Sequence, residues 1–252
     1  PLSDVTSLPF TAPGSTIASQ SLWHTYETFP EFQAEYPSEV VVLTMFTSAL
    51  NQIHTVDKPI TSLEDLRGLD IIGLAPTPLE VLSMANANPI SLLIQDSYEA
   101  MDKGVADGII CPLAPIKSLK ISEIAPYHTI INLSCDAFTI SMNREVFESM
   151  PKDLQQLVTE GAGVKLSKDA GYALDLGSVE DSQWIKEQGG EFYTLSEAEM
   201  AKFVDLVTPL VNNWVDDMAA QGKPGQAVLD EFIGYGQTLK SQGEYIPEYP
   251  ID

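Results

Sequence analysis

The sequence predicts an α/β fold, on three observations. Val40 to Phe46 is an unbroken apolar run rich in β-branched residues, with the length and content of a buried strand. From Lys58 onward, segments of strand character alternate with segments that carry helix start and stop signals. From Pro151 the pattern turns mainly helical. A chain of 252 residues with 44% hydrophobic content can bury a real core. It is long enough for one large domain or for two lobes of about 100 to 150 residues each.

The elements follow in order. His24, beside Trp23 and Tyr26, falls on a helix as a surface or packing residue. After the Val40–Phe46 strand, Asn51 to His54 reads as loop. Thr61-Ser-Leu-Glu64 has the capping-box pattern, and the short helix it opens should stop at Gly68, leaving Leu69 to Leu74 as the next strand. Helices follow over Pro78–Ala85 and Gln95–Lys103, the second closed by Gly104. Asp107 to Cys111 is a short strand stopped by Pro112, and a helix runs from there to about Ile124. His128 to Met142 reads as one long strand-like run. Pro151 to Gln188 is a long helix kinked or broken by Gly161, Gly163 and Gly171. Gly190–Thr194 reads as a strand, Ser196-Glu-Ala-Glu199 as a second capping box ahead of a helix to Gln221, and Gln226–Leu239 as a last helix before a Pro-rich tail.

Thirteen Lys plus Arg against thirty-six Asp plus Glu give a formal charge of −23. Such a surface repels phosphate backbones and anionic headgroups, so nucleic acid and acidic membranes are not expected partners. No apolar run approaches the ~20 residues of a membrane-spanning helix. Two cysteines, Cys111 and Cys135, make neither a disulfide framework nor a zinc ligand set.

Motifs for chemistry are missing. There is no G-x-G-x-x-G or G-x-x-x-x-G-K-[ST] to cradle phosphates, no G-x-S-x-G elbow, and no H-x-x-x-H or H-E-x-x-H spacing among His24, His54 and His128. A metal site would have to be assembled entirely by the fold. Adjacent acids such as Glu64-Asp65, Glu180-Asp181 and Asp216-Asp217 are what an acidic surface carries anyway. No cofactor is implied, and an enzyme reading has no residue to stand on.

Several stretches together resemble one family. Lys58-Pro-Ile-Thr-Ser-Leu-Glu-Asp-Leu-Arg-Gly-Leu-Asp-Ile71, Tyr98-Glu-Ala-Met-Asp-Lys-Gly-Val-Ala-Asp-Gly108, Ser122-Glu-Ile-Ala-Pro-Tyr-His128, Ser7-Leu-Pro-Phe10 and Met142-Asn-Arg-Glu-Val-Phe-Glu-Ser-Met-Pro151 resemble, in order and spacing, the DctP-type solute-binding proteins of TRAP (tripartite ATP-independent periplasmic) transporters. The resemblance implies a bilobal periplasmic-binding-protein-like fold in which two α/β lobes joined by long strands and a long kinked helix close on a ligand. It implies a monomeric periplasmic receptor that hands a small solute, unchanged, to TRAP membrane subunits. Family members carry further chain before the Ser-Leu-Pro-Phe stretch, so the N-terminal part of the first lobe is expected to be missing here. On this pattern residues 1–60 are the remainder of the first lobe, 61–135 the second lobe with hinge strands, and 136–252 a hinge strand, the kinked helix and C-terminal helices packing on both lobes. Pro59–Ile71 and Asp107–Pro112 should lie at strand ends facing the cleft.

The family commonly grips a carboxylate with an arginine two residues beyond the lysine of a Gly-Leu-Lys-Ile-Arg segment, a planar fork matched to two oxygens. Here the segment reads Gly68-Leu-Asp-Ile-Ile72, which puts Ile72 at the arginine's place. The usual Asn after Asp-Gly is replaced by Cys111, and a second basic position falls at Asn51. The chain's two arginines, Arg67 and Arg144, match no ligand position. If their family counterparts are a guide, Phe10, Phe46, Leu74, Ile94, Cys111 and Cys135 border the cleft as apolar surface, with Asn51, Gln95 and Asp96 as polar contacts. A neutral, apolar or aromatic ligand is therefore expected. The alternatives are an organic acid held by a clamp from outside this chain, or a sensory ligand-binding module. A Cys111–Cys135 bridge is open in an oxidising compartment, but two buried free thiols are the expected state.

Overall fold

The computed structural model describes residues 1–251. The chain forms two compact units, each built from three separate stretches. The first takes Pro1–Ala49, Cys135–Asp175 and Asn212–Ile246; the second takes Leu50–Ser134, Leu176–Val211 and the residues from Pro247 onward. The chain thus leaves the first unit after Ala49, where the sequence puts the division at 60, and the region from 136 on is shared between both units.

The elements in chain order are α1 (Ser15–Thr28), α2 (Pro30–Gln33), β1 (Val40–Thr47), β2 (Gln52–Thr55), β3 (Asp70–Gly73), α3 (Pro76–Met84), β4 (Asn88–Ser91), α4 (Ser97–Asp102), β5 (Gly108–Cys111), α5 (Leu113–Ser118), β6 (Tyr127–Ile130), β7 (Ala137–Asn143), α6 (Arg144–Ser149), α7 (Lys152–Gly161), α8 (Gly163–Glu187), β8 (Glu191–Thr194), α9 (Glu197–Ala220) and α10 (Gly225–Ser241).

In the first unit β1 pairs antiparallel with β7, setting Phe46 opposite Phe138 and Met45 opposite Thr139. Helix α1 packs against β1 and α10, and Ile17, Leu22, Phe32, Met45 and Phe232 fill the core. The expected broken helix over 151–188 is two helices. Ala162 is extended and Gly163 takes φ 64, so the chain turns between α7 and α8, and Thr44 Oγ1 donates to the Gly163 carbonyl at 2.8 Å. Helix α8 is then locked to the start of α1. The Asp175 carboxylate accepts from Ser15 N (2.8 Å), Thr16 N (2.7 Å) and Thr16 Oγ1 (2.7 Å). Two first-turn N–H groups that have no partner within α1 are satisfied this way.

The second unit holds a six-stranded sheet in the order β4-β3-β5-β2-β6-β8. Strand β3 runs parallel to β4 and β5, β6 runs parallel to β8, and β2 is antiparallel to both its neighbours. Two sequence expectations change here. The stretch read as loop around His54 is a central strand, because β5 and β6 satisfy its backbone on both sides. The single run expected over 128–142 is two strands, β6 in the second unit and β7 in the first. The ladder stops where Asn132 takes φ 52, and the Gln52 Oε1 atom accepts the Ile131 and Asn132 N–H groups at 2.8 Å each. The first capping box is also shifted by one residue: Ser62 is the N-cap and Asp65 closes the box.

Candidate functional site

The parallel register of the second unit collects several nominated residues at one edge of its sheet. Gly73 pairs with Ser91 and Ile110, and Gln52 pairs with Cys111. The chain therefore leaves β3, β4 and β5 on the same edge from which it enters β2, and that edge carries Asn51, Ile72, Leu74 and Cys111. Ligands of open α/β sheets bind beyond the carboxyl ends of such strands.

Their surroundings differ. Ile72 and Cys111 have no exposed surface and pack in a core with Met101, Ile109, Leu113, Ile130 and Phe192. This sheet is covered on both faces, so successive residues Ile71 and Ile72 are both buried instead of alternating. Leu74 is 38% exposed, and Leu93, in the loop after β4, is 71% exposed. Ile94 is half-buried, and Gln95 and Asp96 stand in solvent on the short 3-10 turn that precedes α4. Asn51 is buried, donating from N to the Ser134 carbonyl (2.8 Å) and from Nδ2 to Ser134 Oγ (3.3 Å).

Gln52, which sequence reasoning missed, is the most fully used polar side chain of this edge. Besides the two N–H groups it accepts, its Nε2 donates to Asn132 Oδ1 at 2.7 Å. It pins the chain where β6 ends. A lone glutamine next to a polar loop carries no sequence signal for that role.

The remaining nominated residues lie in the first unit. Phe46 meets Phe138 with ring centroids 5.4 Å apart and planes tilted by 37°. Phe138, unnominated, is 46% exposed. Phe10 is half-buried with φ 61, a left-handed conformation uncommon for a bulky side chain. Cys135 is buried, and both its N–H (3.2 Å) and its thiol (3.5 Å) point at the Thr6 carbonyl. Both cysteines are free. Burial pushes the Cys135 thiol up to about 12 and the Cys111 thiol higher still, so neither is a nucleophile at neutral pH.

Both arginines have partners of their own. Arg67 pairs with Glu64 at the surface (3.1 Å), and Arg144 donates from Nε and Nη2 to the Ser38 and Val40 carbonyls. Two open depressions lie in the second unit. One, of about 450 Å³, is lined by Leu195, Met200, Ala201 and Val204 with Glu197 and Asp205 at its rim; the other, of about 430 Å³, by Gln183, Lys186, Glu187 and Pro250. Neither includes the nominated strand ends. Among the described residues no group of three or more His, Cys, Asp or Glu is placed to hold a metal ion, and no helix is long and apolar enough to cross a membrane.

The α/β architecture agrees with what comparison finds. The model of the bacterial extracellular solute-binding proteins, family 7 (DctP), matches residues 1–217. The chain belongs to this family. A TRAP periplasmic solute-binding protein from Desulfovibrio salexigens is 30% identical and aligns over 97% of this chain and 74% of its own, with a TM-score of 0.86. One from Bordetella bronchiseptica, with (R)- and (S)-mandelate bound, is 25% identical over 94% of this chain and 76% of its own, with a TM-score of 0.83. The ectoine-binding periplasmic protein of Halomonas elongata is 25% identical over 86% of this chain. The chain spans 68%, 49% and 63% of the lengths of three curated relatives, the ectoine-binding protein being the last of them. The resemblance found in the short motifs therefore extends over nearly the whole chain. The fold is that of DctP-type TRAP solute-binding proteins, which are transport receptors.

Proposed function

We propose that the protein is the extracytoplasmic receptor of a TRAP transporter, binding a small organic solute with an apolar or aromatic body and passing it unchanged to the membrane subunits. The supporting observation is the second unit's strand-end edge, where Ile72 and Cys111 occupy buried apolar positions and both arginines are engaged elsewhere. A carboxylate desolvated beyond this edge, with an isoleucine enclosed in the core where an arginine would be needed, would lack a charged partner, at a cost of several kcal/mol, on the order of a thousandfold in affinity. Mandelate in the Bordetella relative combines an aromatic ring with a carboxylate. It favours a second reading, in which an aromatic acid is held by neutral donors.

Calorimetric titration separates the readings. Neutral aromatics or aromatic acids should bind at least about 100-fold more tightly than C4-dicarboxylates or sugar acids, roughly 2.7 kcal/mol. Tight dicarboxylate binding would sink the apolar reading. Preference for an aromatic acid over its neutral alcohol would select the second reading. Mass spectrometry of the bound fraction should recover the ligand unmodified.

A further inference from the structure

Two of the three histidines meet inside the second unit. His54 in β2 and His128 in β6 stand directly opposite each other, fully enclosed, with their Nδ1 atoms 2.8 Å apart. One of these nitrogens must carry the hydrogen and the other the lone pair. The second nitrogen of His54 decides which. Its Nε2 lies 3.1 Å from the Cys111 carbonyl oxygen, which can only accept, so Nε2 carries a hydrogen. A neutral His54 then has a bare Nδ1, and His128 Nδ1–H is the donor. His128, neutral in turn, is left with a bare Nε2 that has no hydrogen-bond partner among the described residues.

Neither ring has an acceptor for a second proton among the described residues. On His54 it would sit at Nδ1 and point at the His128 N–H. On His128 it would sit at Nε2, which has no acceptor among the described residues. Among the described residues, the elements packed around the pair present apolar groups and a protonated thiol to it. Strand β5 presents Ile109, opposite His54, and Cys111, whose thiol stays protonated. Strand β8 presents Phe192, 4.8 Å from the His128 ring, and α8 presents Ile185, beside Gly190. The titratable Tyr127, Glu191 and Tyr193 occupy alternate positions of β6 and β8, whose side chains point to the opposite face of the sheet.

We propose that His54 and His128 form an acid-sensitive latch: a proton taken up at His128 Nε2 places a charge with no acceptor inside the enclosed pair and loosens the β5-β2-β6 centre of the second unit, next to the edge that carries Cys111. The inference is independent of which ligand binds. Burial and the neighbouring His128 hold His54 well below its ordinary range, and burial brings His128 down to about 4. For a depressed histidine the unfolded chain binds the proton first. Stability is therefore complete above the unfolded value of about 6.5 and is lost as pH falls from there toward about 4. His128 alone lowers the folded-to-unfolded ratio about 30-fold between pH 8 and pH 5.

Imidazole 15N spectra and urea midpoints across that range test the latch. At pH 7.5 one buried ring should show the Nε2–H tautomer and the other the Nδ1–H tautomer, and both should stay neutral at pH 6. His128→Gln keeps a donor for His54 Nδ1 but cannot titrate, and should lose at least half of the wild-type decline in stability. A buried ring protonated in the folded protein at pH 6, or a variant with the full wild-type decline, would overturn the proposal. If the variant does not fold, the wild-type spectra decide alone.

Discussion

Asp175→Ala is expected to lower the melting temperature by about 6 to 12 °C. The carboxylate is almost wholly buried and accepts three hydrogen bonds from the first turn of α1. Its removal leaves the Ser15 and Thr16 N–H groups and the Thr16 hydroxyl without acceptors inside the first unit. Each buried orphan costs about 1–3 kcal/mol, so a net loss of ~3 kcal/mol is a conservative sum, and in a chain of this size each kcal/mol shifts Tm by roughly 2–4 °C. Asp175→Asn should not rescue. Both carboxylate oxygens face donors, so whichever way the amide is turned its NH₂ opposes an N–H or O–H. Burial outweighs the three hydrogen bonds and holds the Asp175 carboxyl above its ordinary range. The folded state then binds the proton more tightly than the unfolded one, and this group adds stability as pH falls. Acid unfolding must draw on other groups, and the histidine pair is a fully buried place where the sign is right. Thermal melts of the two variants at pH 7.5 check the first claim; an Asn variant as stable as wild type would refute the hydrogen-bond account.

Much of this architecture was legible because its signals are local. The strand over Val40–Phe46, the stop at Gly68, the break near Gly163 and the Ser196 cap, whose Oγ accepts from Glu199 N at 3.2 Å, each follow from the chemistry of a few neighbouring residues. What was not legible depends on residues far apart in sequence. β2, Gln-Ile-His-Thr, has only one aliphatic residue, and it is a strand because two neighbours pair with it. The run over 128–142 lacks any turn residue strong enough to announce its division, and the division is enforced by Gln52, about eighty positions away. Period found α7 as a helix but says nothing of its burial. Leu154 and Leu157 follow a helical apolar pattern, yet they are 46% and 65% exposed. At the sheet edge the sequence could align Ile72 and Cys111 with ligand positions of the family. It could not say that both side chains would be enclosed in the second unit's core.

Gly171→Ala and Gly177→Ala, two glycines of the same helix, are expected to shift stability in opposite directions. A mid-helix glycine costs about 0.5–1 kcal/mol relative to alanine, so on propensity alone both substitutions should stabilise. Gly177 has nothing within 4 Å of an added Cβ, and the gain should appear there in full. At Gly171 the added atom would lie 2.5 Å from the Ser15 carbonyl oxygen and 2.7 Å from Ser19 Oγ. Ser19 can rotate, but the Ser15 backbone cannot retreat freely, because its N–H is held by Asp175 one turn further along the same face of α8. Overpacking of this kind costs about 1–3 kcal/mol and more when backbone must move, so Gly171→Ala should be destabilised by ~2 kcal/mol after the propensity gain. The same coupling predicts the double variant. Once Asp175→Ala has released the start of α1, the clash is easier to relieve, and Gly171→Ala on that background should cost at least about 0.5 kcal/mol less than on wild type, the interaction energy of residues in one network. Urea titrations of the four proteins measure it. Strict additivity would show that the close approach of α8 to α1 and the carboxylate cap hold independently; stabilisation by Gly171→Ala as large as by Gly177→Ala would show that the two helices are not in contact there.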